Sequence, residues 1–223
     1  MGLALADELR GFGPLGLLSI IVVVVAGNVG VGPILFPLGA ALTLIWVRLS
    51  RTRWHDVGYV APKSWVSCLL LGVAAGFVFK LAMKALVMPL LGAPPTNQAF
   101  QYLVGNREAL PAAIWAMFVA GFGEETVFRG FLFERLGRLL GQTAWSKVGI
   151  VLGTSIFFGL VHYPLQGLPG VEQATIVGLV FASVFAVTGR LVPLMVAHTA
   201  FDLTALAIIY WDLESEVARL ILK

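Results

Sequence analysis

The sequence predicts an all-α fold, a polytopic transmembrane bundle of about seven helices. Three observations predict it. Of 223 residues, 59% are hydrophobic and 12% charged, where a soluble domain carries about 25% charged residues. The mean hydropathy is +0.92. Apolar stretches of about 20 residues, the length that crosses a bilayer, recur between short polar loops.

These stretches run near 12–31, 33–49, 65–91, 110–135, 147–163, 171–189 and 191–211. Only Gly30-Val31-Gly32-Pro33 separates the first two, as a tight hairpin or one broken unit, so the count ranges from six to eight. Asp7 and Glu8 spoil a positive n-region and no small-x-small site follows, so the N-terminus does not read as a cleavable signal. The third stretch carries Gly72 and Gly76, and the fifth Gly149 and Gly153, both at the spacing of close helix contact. Among 25 glycines such matches arise easily, and plain bundle packing explains them. With no soluble domain or repeat in view, residues 1–223 read as one integral membrane domain. A prokaryotic inner membrane is the expected location.

Basic residues order the topology. Arg48, Arg51, Arg53 and Lys63 flank the loop after the second stretch, Arg135, Arg138 and Lys147 follow the fourth, and Arg190 precedes the last. That side is read as cytoplasmic, with the N-terminus and the acidic tail of Asp212, Glu214 and Glu216 outside. Trp46, Trp54, Trp65 and Trp211 read as an interfacial belt. Formal charge +3 then reflects basic loops; no basic run with interleaved aromatics suits nucleic acid. The single cysteine, Cys68, excludes an internal disulfide and reads as a buried small hydrophobe.

The polar residues inside the stretches are few: Lys80, Lys84, Glu124, Glu125, Arg129, Glu134, His162, His198 and Asp202. Ionised groups in hydrocarbon cost several kcal/mol unless paired or hydrated. Lys80 and Lys84 lie one turn apart and either snorkel along one face or neutralise carboxylates of the fourth stretch. Glu134 and Arg138 form an i,i+4 pair with Arg135 adjoining. Glu125 and Arg129 differ by about 40° around a helix, so they pair, whereas Glu124 points about 100° away without an intrahelical partner. Glu124 is therefore the better functional candidate. Gly121 and Gly123 before it permit close approach of another backbone or a substrate. His198 and Asp202, at i,i+4, share a face, and Asp202 can orient the imidazole. From their basic anchors, Glu124, His162 and His198 lie about 16, 22 and 12 Å into their helices, a band of roughly 10 Å that tilt can close.

A carboxylate and two imidazoles around a wet cavity suit activation of water, with a polar pair left to stabilise an oxyanion. Alternatively, Glu124, His162 and His198 bind a divalent metal, zinc first, and leave a position for water. No His-Glu-x-x-His, Gly-x-Ser-x-Gly or Ser/His/Asp set is present.

The series Glu124-Glu125-x-x-x-Arg129, Phe158-x-x-x-His162 and His198-x-x-x-Asp202 resembles the three motifs of the CPBP family of intramembrane metalloproteases. This family comprises the type II CAAX prenyl endopeptidases and the Abi-like bacteriocin-processing or immunity proteases. The resemblance covers about 110–205 and implies a catalytic core there. It implies Glu124 as the base that activates water with His162 beside it, Glu125 and Arg129 in support, and His198 with position 202 at the oxyanion. The prenyl-protease branch typically has Asn where this chain has Asp202. An ionised carboxylate cannot donate to an oxyanion, so Asp202 is weighed instead as an orienter of His198, a metal ligand or a protonated acid. The implied activity is endopeptidase cleavage, near the C-terminus of a prenylated peptide or on another membrane-associated one, with or without a metal. A small transporter or proton relay, and a non-catalytic immunity or scaffold protein, are the competing readings. Substrate identity and oligomeric state stay open.

Overall fold

The structure, a computed structural model, describes residues 2–28 and 37–222. Among them the secondary structure is helical throughout. Helices α1 (Gly2–Arg10) and α2 (Pro14–Asn28) are followed by α3 (Leu38–Leu49). Helix α4 (Trp65–Ala82) runs on through a π-helical turn, Met83–Val87. Helix α5 (Leu110–Glu124) continues into a π-helical segment, Glu125–Phe131, and then α6 (Leu132–Leu140). The chain ends with α7 (Ala144–Leu160), α8 (Tyr163–Thr188), α9 (Val192–Tyr210) and α10 (Glu214–Ala218).

Local chemistry sets several of these boundaries. Ser64 and Thr143 accept hydrogen bonds from the backbone N–H groups of Ser67 and Ser146 and so cap α4 and α7. At Gly189 the left-handed backbone, φ 62°, ends α8. Within α8 the backbone breaks at Gly167 (φ 62°, ψ −159°), just before Pro169. This break places the regular part of the helix close to the predicted 171–189.

Three helical stretches among the described residues are long and apolar enough to cross a membrane: Trp65–Leu90, Tyr163–Thr188 and Val192–Tyr210. A fourth arises if Leu3–Arg10 and Pro14–Ala26, bent by 62°, count as one span. This falls short of about seven. The fourth predicted stretch is broken in hydropathy by Glu124, Glu125, Arg129 and Glu134, and α7 has only 17 residues. The Gly30-Val31-Gly32-Pro33 break lies outside the described residues.

Helix α9 is the most buried candidate span and packs between α4 and α5. Glycine makes the first contact possible. A Cβ on Gly76 would collide with the Ala197 carbonyl oxygen and lie 2.8 Å from the Phe201 nitrogen. One on Gly72 would lie 2.7 Å from Val196. Gly149 and Gly153, by contrast, face open space, so the second small-xxx-small match packs against nothing among the described residues. Helices α7 and α8 form a hairpin in which Gly178 lies against Ser155.

The belt expectation also needs correction. Trp46 is buried at the α1–α3 contact, where its indole N–H donates to the Leu9 carbonyl at 3.2 Å and its ring meets Phe131 edge-on. Trp54, Trp65 and Trp211 are exposed. Arg135 is more than a neighbour of the Glu134–Arg138 pair. Its guanidinium donates to the carbonyls of Arg10 (2.8 Å) and Gly11 (2.6 Å) and so clamps the corner between α1 and α2, which puts that corner on the same side as Arg135 and not on the opposite side, as the basic residues predicted.

Candidate active site

Glu124 closes α5 and Glu125 opens the π-helical segment, so the two carboxylates straddle a change in winding. Such segments recur at functional sites. Glu125 is fully buried. Its Oε1 accepts a hydrogen bond from Arg129 Nη1 at 3.0 Å and another from His198 Nδ1 at 2.8 Å. The expected Glu125–Arg129 pair is present, but its carboxylate also ties the π-helical segment to α9. Arg129, itself 1% exposed, donates to the Gly178 carbonyl at 3.4 Å and lies over the Phe158 ring, 4.6 Å from its centroid. These contacts supplement the buried ion pair, while Glu125 Oε2 has no hydrogen-bond partner among the described residues.

With Nδ1 held by Glu125, His198 turns Nε2 toward Glu124 Oε2 at 3.7 Å and Asp202 Oδ2 at 3.6 Å. Asp202 therefore meets the far nitrogen, and the ring is oriented by Glu125 in the role weighed for Asp202. Both distances exceed a hydrogen bond; catalytic contacts of this kind tighten when substrate binds. Glu124 and Asp202 remain partly accessible, with side chains 17% and 20% exposed.

His162 occupies the junction between α7 and α8. Its Nδ1 donates to the Phe158 carbonyl at 2.7 Å, which leaves Nε2 available. The Phe158 ring meets His162 and His198 edge-on, with centroids 4.8 and 6.2 Å apart. Asp202 interacts electrostatically with His198, Glu124, Lys80 and His162. Side chains from three distant segments, expected to share one depth, are thus brought together.

Gly121 permits the close approach expected of it: a Cβ there would collide with Thr199 Oγ1 and lie 2.7 Å from the Thr199 nitrogen. Gly123 has ordinary clearance, 3.7 Å from Ala40. Sequence reasoning missed Phe181, whose ring lies 5.4 Å from that of His198, and the buried Thr199 hydroxyl, which has no hydrogen-bond partner among the described residues. Both look like ordinary core positions in sequence, and only the tertiary contact distinguishes them.

The metal alternative meets a geometric test. Both histidines have Nδ1 anchored and Nε2 turned away from the anchor, as metal-ligating histidines do. Yet among the described residues no three His, Cys, Asp or Glu side chains converge closely enough to hold an ion.

Comparison with protein families supports the resemblance over part of the chain. Residues 106–204 match the family model of the type II CAAX prenyl endopeptidases, Rce1-like. The Rce1-like segment covers less than half of the chain but contains all three motifs. No curated protein and no solved structure matches the chain. The apolar helices and the matched segment together mark an integral membrane protein.

Proposed function

We propose that this protein is an intramembrane endopeptidase in which Glu124 activates water for attack on a peptide bond. The observation that carries the reading is the asymmetry of the carboxylates. Glu125 is fully buried and bound by Arg129 and His198, whereas Glu124 is partly accessible, accepts no hydrogen bond among the described residues and lies 3.7 Å from His198 Nε2. The Rce1-like match over the same residues supports it.

In the proposed reaction Glu124 takes a proton from water as the hydroxyl adds to the scissile carbonyl carbon. His162, fixed through Nδ1, steadies the attacking water with Nε2. His198, as an imidazolium whose Nδ1–H is held by Glu125, donates its Nε2–H to the oxyanion, and Asp202 balances the charge on that face of the ring. The tetrahedral intermediate collapses as the proton held by Glu124 passes to the departing nitrogen and the C–N bond breaks. Arg129 balances the charge of Glu125. A prenylated or otherwise membrane-associated peptide is the substrate class, cleaved within the bilayer. No step is routed through a metal.

Cleavage of a farnesylated reporter peptide in proteoliposomes tests the reading. Glu124→Gln is expected to lower the rate about 10²–10⁴-fold, the usual contribution of a general base, with insertion and thermal stability unchanged. Wild-type cleavage by that variant sinks the assignment. Chelator in parallel reactions tests metal use: loss of wild-type activity, restored by zinc, would require a metal in the mechanism. Solute or ion flux without cleavage would point to the transporter reading.

A further inference from the structure

Two lysines one turn apart meet opposite fates. The Lys84 ammonium contacts Glu214 Oε1 and the Pro95 carbonyl, each at 2.6 Å, and Glu214 also accepts from Gln101 and the Asn97 backbone. Lys84 is therefore fully paired. Lys80 is equally buried, 7% exposed, but donates only to the neutral amide oxygen of Gln173 at 3.1 Å and lies over the Phe201 ring at 4.8 Å. Among the described residues no carboxylate lies within salt-bridge distance of it. A buried charge without an ionic partner is costly, and three ammonium hydrogens are more than one amide oxygen satisfies.

The location of Lys80 gives this surplus a direction. Gly76, one turn earlier, draws α4 onto Ala197 and Phe201 of α9. This close approach sets the Lys80 ammonium beside Phe201, next in sequence to Asp202, with which it interacts electrostatically. Lys80 also lies roughly 22 Å along the helix from Trp65 and 15 Å from Leu90, depths that phospholipid headgroups do not reach. The opening nearest to it is at Asp202, which keeps 20% of its side chain exposed beside Glu124 and His198.

We infer that Lys80 binds the free C-terminal carboxylate of the peptide substrate and so confines cleavage to bonds near a chain end. This inference rests on the peptidase reading. The carboxylate satisfies the ammonium, and the scissile bond, a few residues earlier, falls at Glu124 and His198. Lys80 is then a specificity-determining residue outside the proton-transfer set.

The experiment compares two farnesylated reporter peptides, identical except for a free carboxylate or an amide at the C-terminus, on the full-length protein in proteoliposomes. Wild type is expected to show a KM for the amide raised about tenfold or more, the effect of losing one charge-assisted hydrogen bond. Lys80→Met should cleave both peptides alike, and Lys80→Arg should keep the preference. Equal wild-type handling of acid and amide overturns the inference and leaves the peptidase reading intact, as does an undiminished preference in Lys80→Met. Should Lys80→Met fail to fold, the wild-type comparison decides alone. Failure of wild type to cleave either peptide overturns the peptidase reading, and this inference with it.

Discussion

Gly121→Ala isolates the contact that holds the two carboxylates against α9. The added methyl would collide with Thr199 Oγ1 and sit 2.7 Å from the Thr199 nitrogen and 3.0 Å from its Cα. The hydroxyl can rotate away, but the backbone atoms cannot, so α5 and α9 must part by something near 1 Å. Overpacking of this kind costs about 1–3 kcal/mol. Alanine in place of a helical glycine recovers up to about 1 kcal/mol through propensity, so the net loss is roughly 1–2 kcal/mol. Activity should suffer more than stability. Glu124 lies three residues on, and a 1 Å displacement of catalytic groups costs up to about 10²-fold. Thermal unfolding in detergent and reporter cleavage measure the two effects. Adding Thr199→Ala removes the hydroxyl but not the backbone clash, and should restore only part of the stability. Wild-type cleavage by Gly121→Ala, or full rescue by the second substitution, would refute the reasoning.

Other contacts give further expectations. Lys84→Met strands Glu214, 3% exposed, and should cost about 3–5 kcal/mol, whereas Lys84→Met with Glu214→Leu should recover only part of that loss, because the Asn97 N–H and Gln101 then lose their acceptor; a double-mutant cycle on thermal stability checks both. Arg135→Met removes the donors to the Arg10 and Gly11 carbonyls, worth about 1.5–3 kcal/mol each for a charged group. Faster proteolysis at the α1–α2 corner is the expected outcome in a limited digest.

The site was more legible in the sequence than the bundle. Glu124, Glu125, Arg129, His162, His198 and Asp202 stand out because charge within apolar runs is costly; the structure joins Glu125 to Arg129 and His198 and sets Glu124 and Asp202 about His198, while among the described residues His162 makes contact with them only through the Phe158 ring. Angular spacing separated Glu124 from the Glu125–Arg129 pair correctly. It could not show that Glu125 also holds His198, because that contact joins residues 73 positions apart. The partner of Lys84 escaped for the same reason. Glu214 lies 130 positions away, in a tail read as merely acidic and external, and not on the fourth stretch where a partner was sought. The number of spans is less legible for a different reason. Hydropathy windows assume uninterrupted apolar helices, whereas this chain concentrates its polar chemistry in one of them and bends another pair by 62°.

The π-helical segment Glu125–Phe131 carries a consequence for how the chain tolerates insertions and deletions. A π segment holds more residues per turn than an α-helix. Here it resets the angular phase between the carboxylates, which face α9, and Arg135, which faces the N-terminal corner. Removing a single residue would leave the helix nearly as long but rotate everything beyond it by about 100°. The site and the corner clamp could then no longer be satisfied together. Substitutions in these seven positions would be graded in effect, whereas a one-residue deletion would be all or none.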